Sequence, residues 1–296
     1  MSPLREGPSA ILAQTRPGSV RFKKFPSLLI SVRVSLVQFT PAFQKTAPNW
    51  ERMKEWAESL PADVIVFPEL ATCGYMYKDR DEVAPFVEGH EALEPIAKIA
   101  KASGRLIVGG FAELDDGAFY DSAFAAGPDG LSVYRKIHLW NRETLMFRPG
   151  TEPVLLEFQG HRIGLEICYD LQFPELAAHL ARHGAELLLV PTAWAEEGRA
   201  PIHGLQPYNH LAIATAFAHG VFVVVVNRTG PERDALFPGQ SSLANPFGQL
   251  ECLEDKEGVL SKTLDFSLLE TAKRPNAFND LDRDARFRIV PPRKTR

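Results

Sequence analysis

His161–Glu175, HRIGLEICYDLQFPE, carries a change of periodicity in the middle of the chain. Over Arg162–Cys168, Ile163, Leu165 and Ile167 alternate with small or polar residues, which predicts a strand with Cys168 at its end. From Phe173 the period lengthens. Pro174 suits a first helical position, and Leu176, Ala177, Leu180 and Ala181 recur at helical spacing until Gly184 closes the helix. A cysteine at a strand-to-helix corner can present its sulfur in a cleft, where backbone N–H groups and the positive helix end favour a thiolate. Taken alone, Cys168 is equally readable as one more buried thiol, since free cysteine is among the most buried residue types.

Outward from this corner the same units recur. Val32–Phe39 alternates and predicts the first core strand; Trp50, Met53, Ala57 and Leu60 mark one face of a helix that Pro61 ends. Val64–Phe67 is a short continuous apolar run, a strand buried on both faces, and it delivers Glu69 at its tip. A helix over Ala92–Ala102 and strands over Leu106–Phe111 and Ala118–Ala126 follow. Beyond Cys168 and its helix come the strand Leu187–Val190, an aperiodic Glu196–Pro207 loop, a helix over Leu211–His219 closed by Gly220, and the strongly β run Val221–Val226. Ala62–Pro68 aligns with Ala185–Pro191, each inside a strand, helix, strand, helix, strand order. Two such halves make two sheets that pack face to face with helices outside, an α/β fold.

Composition narrows the function classes. The chain has 296 residues, 45% apolar and 24% charged, enough for one sizeable core. A net charge of −4, with lysine and arginine spread rather than striped, gives no global attraction to nucleic acid or to an anionic membrane. Three cysteines far apart, without any CxxC pair, argue against a disulfide framework or a cysteine zinc site and fit a reducing, cytoplasmic setting. No apolar run approaches the roughly eighteen residues of a membrane span. Residues 1–31, with Arg5, Arg16, Arg21, Lys23 and Lys24, are expected to form a flexible extension, 32–271 the folded domain, and the charged 272–296 an arm or tail.

Between the halves lies YRKIHLW at Tyr134–Trp140, where Lys136 interrupts an apolar and aromatic stretch. Alone, it reads more readily as a lysine with its stem on the surface and its head in water. Glu69 alone is no more telling, although a carboxylate at a buried strand tip needs a partner. The set is more specific. FPELATCGY around Glu69, YRKIHLWNRETLMFRPG around Lys136 and GLEICYDLQFPE around Cys168 occur in an order that resembles the carbon–nitrogen hydrolase (nitrilase/amidase-like) family. PTAW at Pro191–Trp194, NRTG at Asn227–Gly230 and SSLANPFG at Ser241–Gly248 are weaker matches, and the resemblance spans Val32 to Leu269.

That resemblance implies a four-layer αββα sandwich of two mixed β-sheets, assembled as a homodimer or a higher homo-oligomer. It implies that Glu69 is the general base, Lys136 the electrostatic stabiliser and Cys168 the nucleophile, with Glu143 matching the family's additional glutamate. No cofactor or metal is implied. The chemistry suits the residue types, because a free thiol needs a base and a positive neighbour at neutral pH, and the oxyanion formed on attack needs donors, here Lys136 and the Tyr169 N–H. Tyr75, Trp140 and Trp194 are candidate walls of the substrate pocket, or simply core.

The expected reaction is hydrolysis of a non-peptide C–N bond in a small linear amide or N-carbamoyl compound, releasing ammonia through a thioester. A nitrilase is the alternative within the class. Outside it stand an interaction scaffold that does not use the site, and a metal hydrolase using His179 and His183 at i, i+4, which lack a third ligand. A Cys–His dyad with His138, two residues from Lys136, is a further alternative. Tyr169-Asp170 resembles the amidase and carbamoylase branches rather than the Trp-Glu of many nitrilases. Gln172 stands where ω-amidase-like members tend to have arginine, and Ala216–Gly220 lacks the glutamate-asparagine run that many members carry. Cys73 and Cys252 are expected to be structural thiols, with Cys73 close enough to Glu69 to line a pocket.

Overall fold

A computed structural model describes residues 31–196 and 204–272. The first half runs β1 (Ser31–Gln38), α1 (Thr46–Ser59), β2 (Val64–Val66), a one-turn α2 (Arg80–Val83), α3 (Glu94–Ser103), β3 (Leu106–Asp115), β4 (Ala118–Gly127) and β5 (Gly130–Arg135). A brief α4 (Glu143–Met146) leads to the second half, β6 (Val154–Phe158), β7 (His161–Leu165), α5 (Pro174–Arg182), β8 (Leu187–Thr192), α6 (Pro207–His219) and β9 (Phe222–Asn227). A hairpin of β10 (Thr229–Glu232) and β11 (Ala235–Pro238) follows, then β12 (Ser242–Ala244), β13 (Leu250–Cys252), β14 (Gly258–Asp265) and α7 (Ser267–Ala272).

The strands form two six-stranded sheets, ordered β14-β1-β2-β3-β4-β5 and β13-β12-β9-β8-β7-β6. In each, three consecutive strands are parallel, β1-β2-β3 in one and β7-β8-β9 in the other, with antiparallel neighbours on both sides. The internal repeat in the sequence is thus a repeat of topology. Each parallel crossover carries a helix, α1 and α3 in the first half and α5 and α6 in the second.

The period of two sorts the core into layers. Leu36, Val64 and Val66 meet Leu165, Leu187, Leu189 and Val224 in one buried cluster between the sheets. The intervening Ile65, Phe67 and Ile107 pack on Met53, Ala57, Ile96 and Ala100 of α1 and α3. Leu188, Val190 and Val223 pack on Leu176, Leu180 and Ala212 of α5 and α6. The result is the four-layer αββα sandwich. Strands buried on both faces explain the unbroken apolar runs at β2, β8 and β9, where each large apolar side chain contributes about 1.5–3 kcal/mol on burial. Among the described residues no helix is long and apolar enough to cross a membrane. Nearly all of the basic N-terminal extension, residues 197–203 of the Glu196–Pro207 loop, and all but Ala272 of the charged C-terminal segment lie outside the described residues.

Candidate active site

The site assembles where β2, β5, β7 and β8 end. Each delivers one group just past its last residue: Glu69 after β2, Lys136 after β5, Cys168 after β7 and Ala193 after β8. The strand parity that puts Tyr134 between the sheets also turns Lys136 inward, so the surface placement is excluded: Lys136 is completely buried. Its Nζ donates to Glu69 Oε1 at 2.5 Å, to Glu143 Oε1 at 2.7 Å and to Asp121 Oδ2 at 3.4 Å.

These three carboxylates make up a cluster whose oxygens lie within 4.8 Å of one another, and the ammonium occupies the position that a metal cation would take. Burial opposes the charge on Lys136, but Glu143, Glu69 and Asp121 together outweigh it and hold its pKa well above the ordinary lysine value. Glu143 is tied down at the start of α4, accepting from Tyr75 OH at 2.5 Å and Trp140 N at 2.6 Å as well as from Lys136. Burial keeps its carboxyl above the usual range despite Lys136, and burial together with Glu69 lifts Asp121 well above it.

Cys168 is held in a left-handed backbone conformation with φ of 46°, a region costly for a residue with a Cβ. Asp170 secures that corner. Its Oδ2 accepts from Ile167 N at 3.0 Å and Tyr134 OH at 2.7 Å, and its Oδ1 accepts from His138 N at 2.9 Å. The buried carboxylate therefore staples the cysteine turn to the segment that carries Lys136. His138 Nδ1 sits 2.8 Å from the same Asp170 Oδ1 and its ring stacks on Phe173, which removes it as a partner for the thiol. The strand ends at Leu165 rather than Cys168, and a single 3₁₀ turn over Cys168–Gln172 intervenes before α5 starts at Pro174.

The surroundings of the sulfur oppose the thiolate that the corner position favours. Burial first, then the nearby Glu69, push the Cys168 thiol well above its ordinary pKa, and Lys136 offsets this only in part because its charge is shared among carboxylates. Glu69 lies close enough to the thiol to act on it electrostatically. Its Oε2 accepts from Ala193 N at 2.6 Å, and the same N–H faces the Cys168 sulfur. Beneath Glu69, β3 passes so closely that a Cβ on Gly110 would lie 2.5 Å from the Glu69 Cα and 2.3 Å from Leu70 N.

A cleft of about 240 Å³ opens over Cys168, which is 6% exposed. Tyr75, Trp140, Tyr169 and Trp194 line it, with Gln172 in the wall and the exposed Glu196 and Asp234 at the rim. Trp194 is bracketed by Asn227, which accepts from its N–H at 2.9 Å and donates to its carbonyl at 3.2 Å. Cys73 is fully buried away from this cleft, with burial raising its thiol to about 12, whereas Cys252 is exposed on β13 rather than structural. His183 Nδ1 bonds to the His179 carbonyl, and neither histidine belongs to a three-ligand cluster among the described residues.

Asp121 and Asp170 were not singled out from the sequence as site groups. For Asp121 a signal exists: it shares the inward parity of Ala123 and Ala125 on β4, so a carboxylate stands at a core position.

Comparison with known proteins agrees with this architecture. The sequence model of the carbon-nitrogen hydrolase family matches residues 33–274. A nitrilase of Pyrococcus abyssi is 32% identical over 266 residues, covering 86% of this chain and 97% of that protein. An (R)-stereoselective amidase of Pseudomonas sp. is 32% identical over 249 residues, covering 82% and 88%. A cysteine mutant of the amidase from Nesterenkonia sp. AN1, solved with butyramide, superposes with a TM-score of 0.68 at 26% identity, covering 81% of this chain and 93% of that one. With its family sequence pattern and its paired sheets both matched, the chain belongs to the carbon–nitrogen hydrolase family and is a hydrolase of non-peptide C–N bonds.

Proposed function

We propose that the protein hydrolyses small linear amides or N-carbamoyl compounds through a thioester on Cys168, with Glu69 as base and acid and Lys136 as electrostatic stabiliser. The observation that carries this is the buried junction at which Glu69, fixed by Lys136 Nζ and Ala193 N, faces the Cys168 thiol at the floor of an open cleft.

Burial and the neighbouring Glu69 favour the protonated thiol, so attack is written with its proton transfer coupled. The sulfur bonds to the amide carbonyl carbon as its proton passes to Glu69, and the carbonyl electrons move onto oxygen. Lys136 and the Tyr169 N–H are the donors assigned to that oxyanion. The C–N bond then breaks as Glu69 returns the proton to nitrogen, and ammonia leaves. Water attacks the thioester, giving its proton to Glu69, which passes it to the departing sulfur as the acid is released.

The walls suggest which amides fit. Four aromatic rings favour an apolar body, Gln172 offers no cation, and Glu196 and Asp234 at the rim disfavour a substrate carboxylate. The butyramide bound by the Nesterenkonia relative is of this size and polarity. The P. abyssi relative named nitrilase supports a second reading, in which a nitrile passes through a thioimidate on the same cysteine.

Ammonia release from a panel of primary amides, N-carbamoyl amines and nitriles tests the proposal. Turnover of neutral amides such as butyramide, slower turnover of an equally long amide ending in a carboxylate, and none in Cys168→Ala are expected. Turnover confined to nitriles, or surviving in Cys168→Ala, contradicts it.

A further inference from the structure

The four charged groups at the centre of the site do not balance if all are ionised. Glu69, Asp121 and Glu143 lie within 4.8 Å of one another around a single ammonium, and all three are at most 2% exposed. Three like charges at this spacing without water cannot all be held, so a proton stays among them. The donors show where. Glu143 accepts from Lys136, Tyr75 OH and Trp140 N, all within 2.7 Å. Glu69 accepts from Lys136 and Ala193 N, both within 2.6 Å. Asp121 accepts one long contact, 3.4 Å from Lys136, while its Oδ1 has no partner. Two carboxylates are thus solvated by the protein as anions and the third is not.

We propose that Asp121 is a neutral carboxylic acid in the resting enzyme and acts as a positioning residue for the base, donating a hydrogen bond to Glu69. The inference rests on Glu69 acting as the base toward Cys168. A neutral Asp121 leaves the ammonium shared by two anions rather than three, and it gives Glu69 a third donor beside Lys136 and Ala193 N. That arrangement fixes the carboxylate that takes the thiol proton and returns it to the leaving nitrogen. The groups facing Asp121 are Glu69 after β2, Lys136 after β5 and Glu143 at the start of α4, with Cys168 and Tyr75 beyond them. Among the three carboxylates Asp121 alone lacks a donor within 3 Å, and the main chain fixes it in place, since its own carbonyl accepts Lys136 N at 2.9 Å.

Asparagine reproduces the shape and the N–H donor of a neutral acid, so Asp121→Asn separates this assignment from an anionic one. At neutral pH, Asp121→Asn is expected to keep kcat within about threefold, and Asp121→Ala to lose kcat by about a hundredfold with KM little changed. Infrared difference spectroscopy of wild type minus Asp121→Asn at pH 7 should show a protonated-carboxyl C=O band, a readout that depends neither on turnover nor on whether Asp121→Ala folds. Absence of that band, equal inactivity of the Asn and Ala variants, or full activity of Asp121→Ala overturns the proposal. Failure of the underlying reading has a different signature, amide turnover that survives Cys168→Ala, while the infrared band reports Asp121 in either case.

Discussion

Removing the ammonium from the centre of the site tests its charge arrangement most severely. In Lys136→Met the side-chain volume is nearly kept, but Glu69 and Glu143 lose a cation at 2.5 and 2.7 Å. At an effective dielectric of about 20, each of those contacts is worth about 6 kcal/mol of gross Coulomb energy, most of it offset in the wild type by the desolvation of the partners. What remains after deletion is buried negative charge without a partner, for which a net loss of about 3–5 kcal/mol of folding stability is expected near pH 8. The pH dependence has a definite sign. Without Lys136 the folded-state pKa of Glu143, already raised, climbs further above its unfolded value, so the added penalty is absent below the unfolded value near 4 and grows as pH rises from there toward the folded one. Urea denaturation of wild type and variant at pH 5 and pH 8 should therefore show a gap that widens with pH. Amide turnover should fall by about a thousandfold or more at pH 8, because the oxyanion loses its ammonium donor and Glu69 loses the cation that fixes it at 2.5 Å. Adding Glu143→Gln should return part of the stability and none of the activity. A Lys136→Met protein as stable as wild type at both pH values, or one that still turns over amides, would refute the reasoning.

Two further outcomes follow from the surroundings of the site. Gly110→Ala places a methyl group 2.5 Å from the Glu69 Cα, contact with backbone that cannot rotate away, so activity should fall by at least tenfold with a stability loss of about 1–3 kcal/mol, read by kinetics and urea melts side by side. Glu166, just past the end of β7, is fully buried with neither carboxylate oxygen partnered, and burial raises it to about 8. Its folded pKa exceeds the unfolded value, so it costs the wild type stability as pH climbs from about 5 to 8, and Glu166→Gln should become the more stable protein over that interval by roughly 3 kcal/mol. Parallel pH-dependent denaturation curves for the two proteins would rule that out.

How much was legible in the sequence depended on burial. β2, β8 and β9 are covered on both faces, so Val64–Val66, Leu187–Val190 and Phe222–Val226 read as unbroken apolar runs. β14 pairs with β1 over eight residues, yet it is a partly exposed edge with Ser261, Lys262 and Thr263, and its periodicity vanishes. Pro231 and Pro238 in the β10–β11 hairpin mask it, because proline ordinarily argues against a strand. Periodicity located the strand ends near Glu69 and Cys168, but the matching family motifs, not spacing, singled them out together with Lys136. The ionisation of Cys168 was not legible, since it depends on long-range packing that brings Glu69 to the sulfur and surrounds Lys136 with acids. Asp170 stood in the sequence as a mark of subfamily, whereas its four contacts fix the cysteine turn against Tyr134 and His138.

The most direct measurement is the mass of the protein quenched in acid during turnover of a primary amide, compared with Cys168→Ala. An adduct equal to the substrate less ammonia, mapped by peptide analysis to Cys168 and missing from the inactive variant, is the expected result. An acyl group carried on any other residue, or amide hydrolysis that continues at the wild-type rate without the Cys168 sulfur, would contradict it.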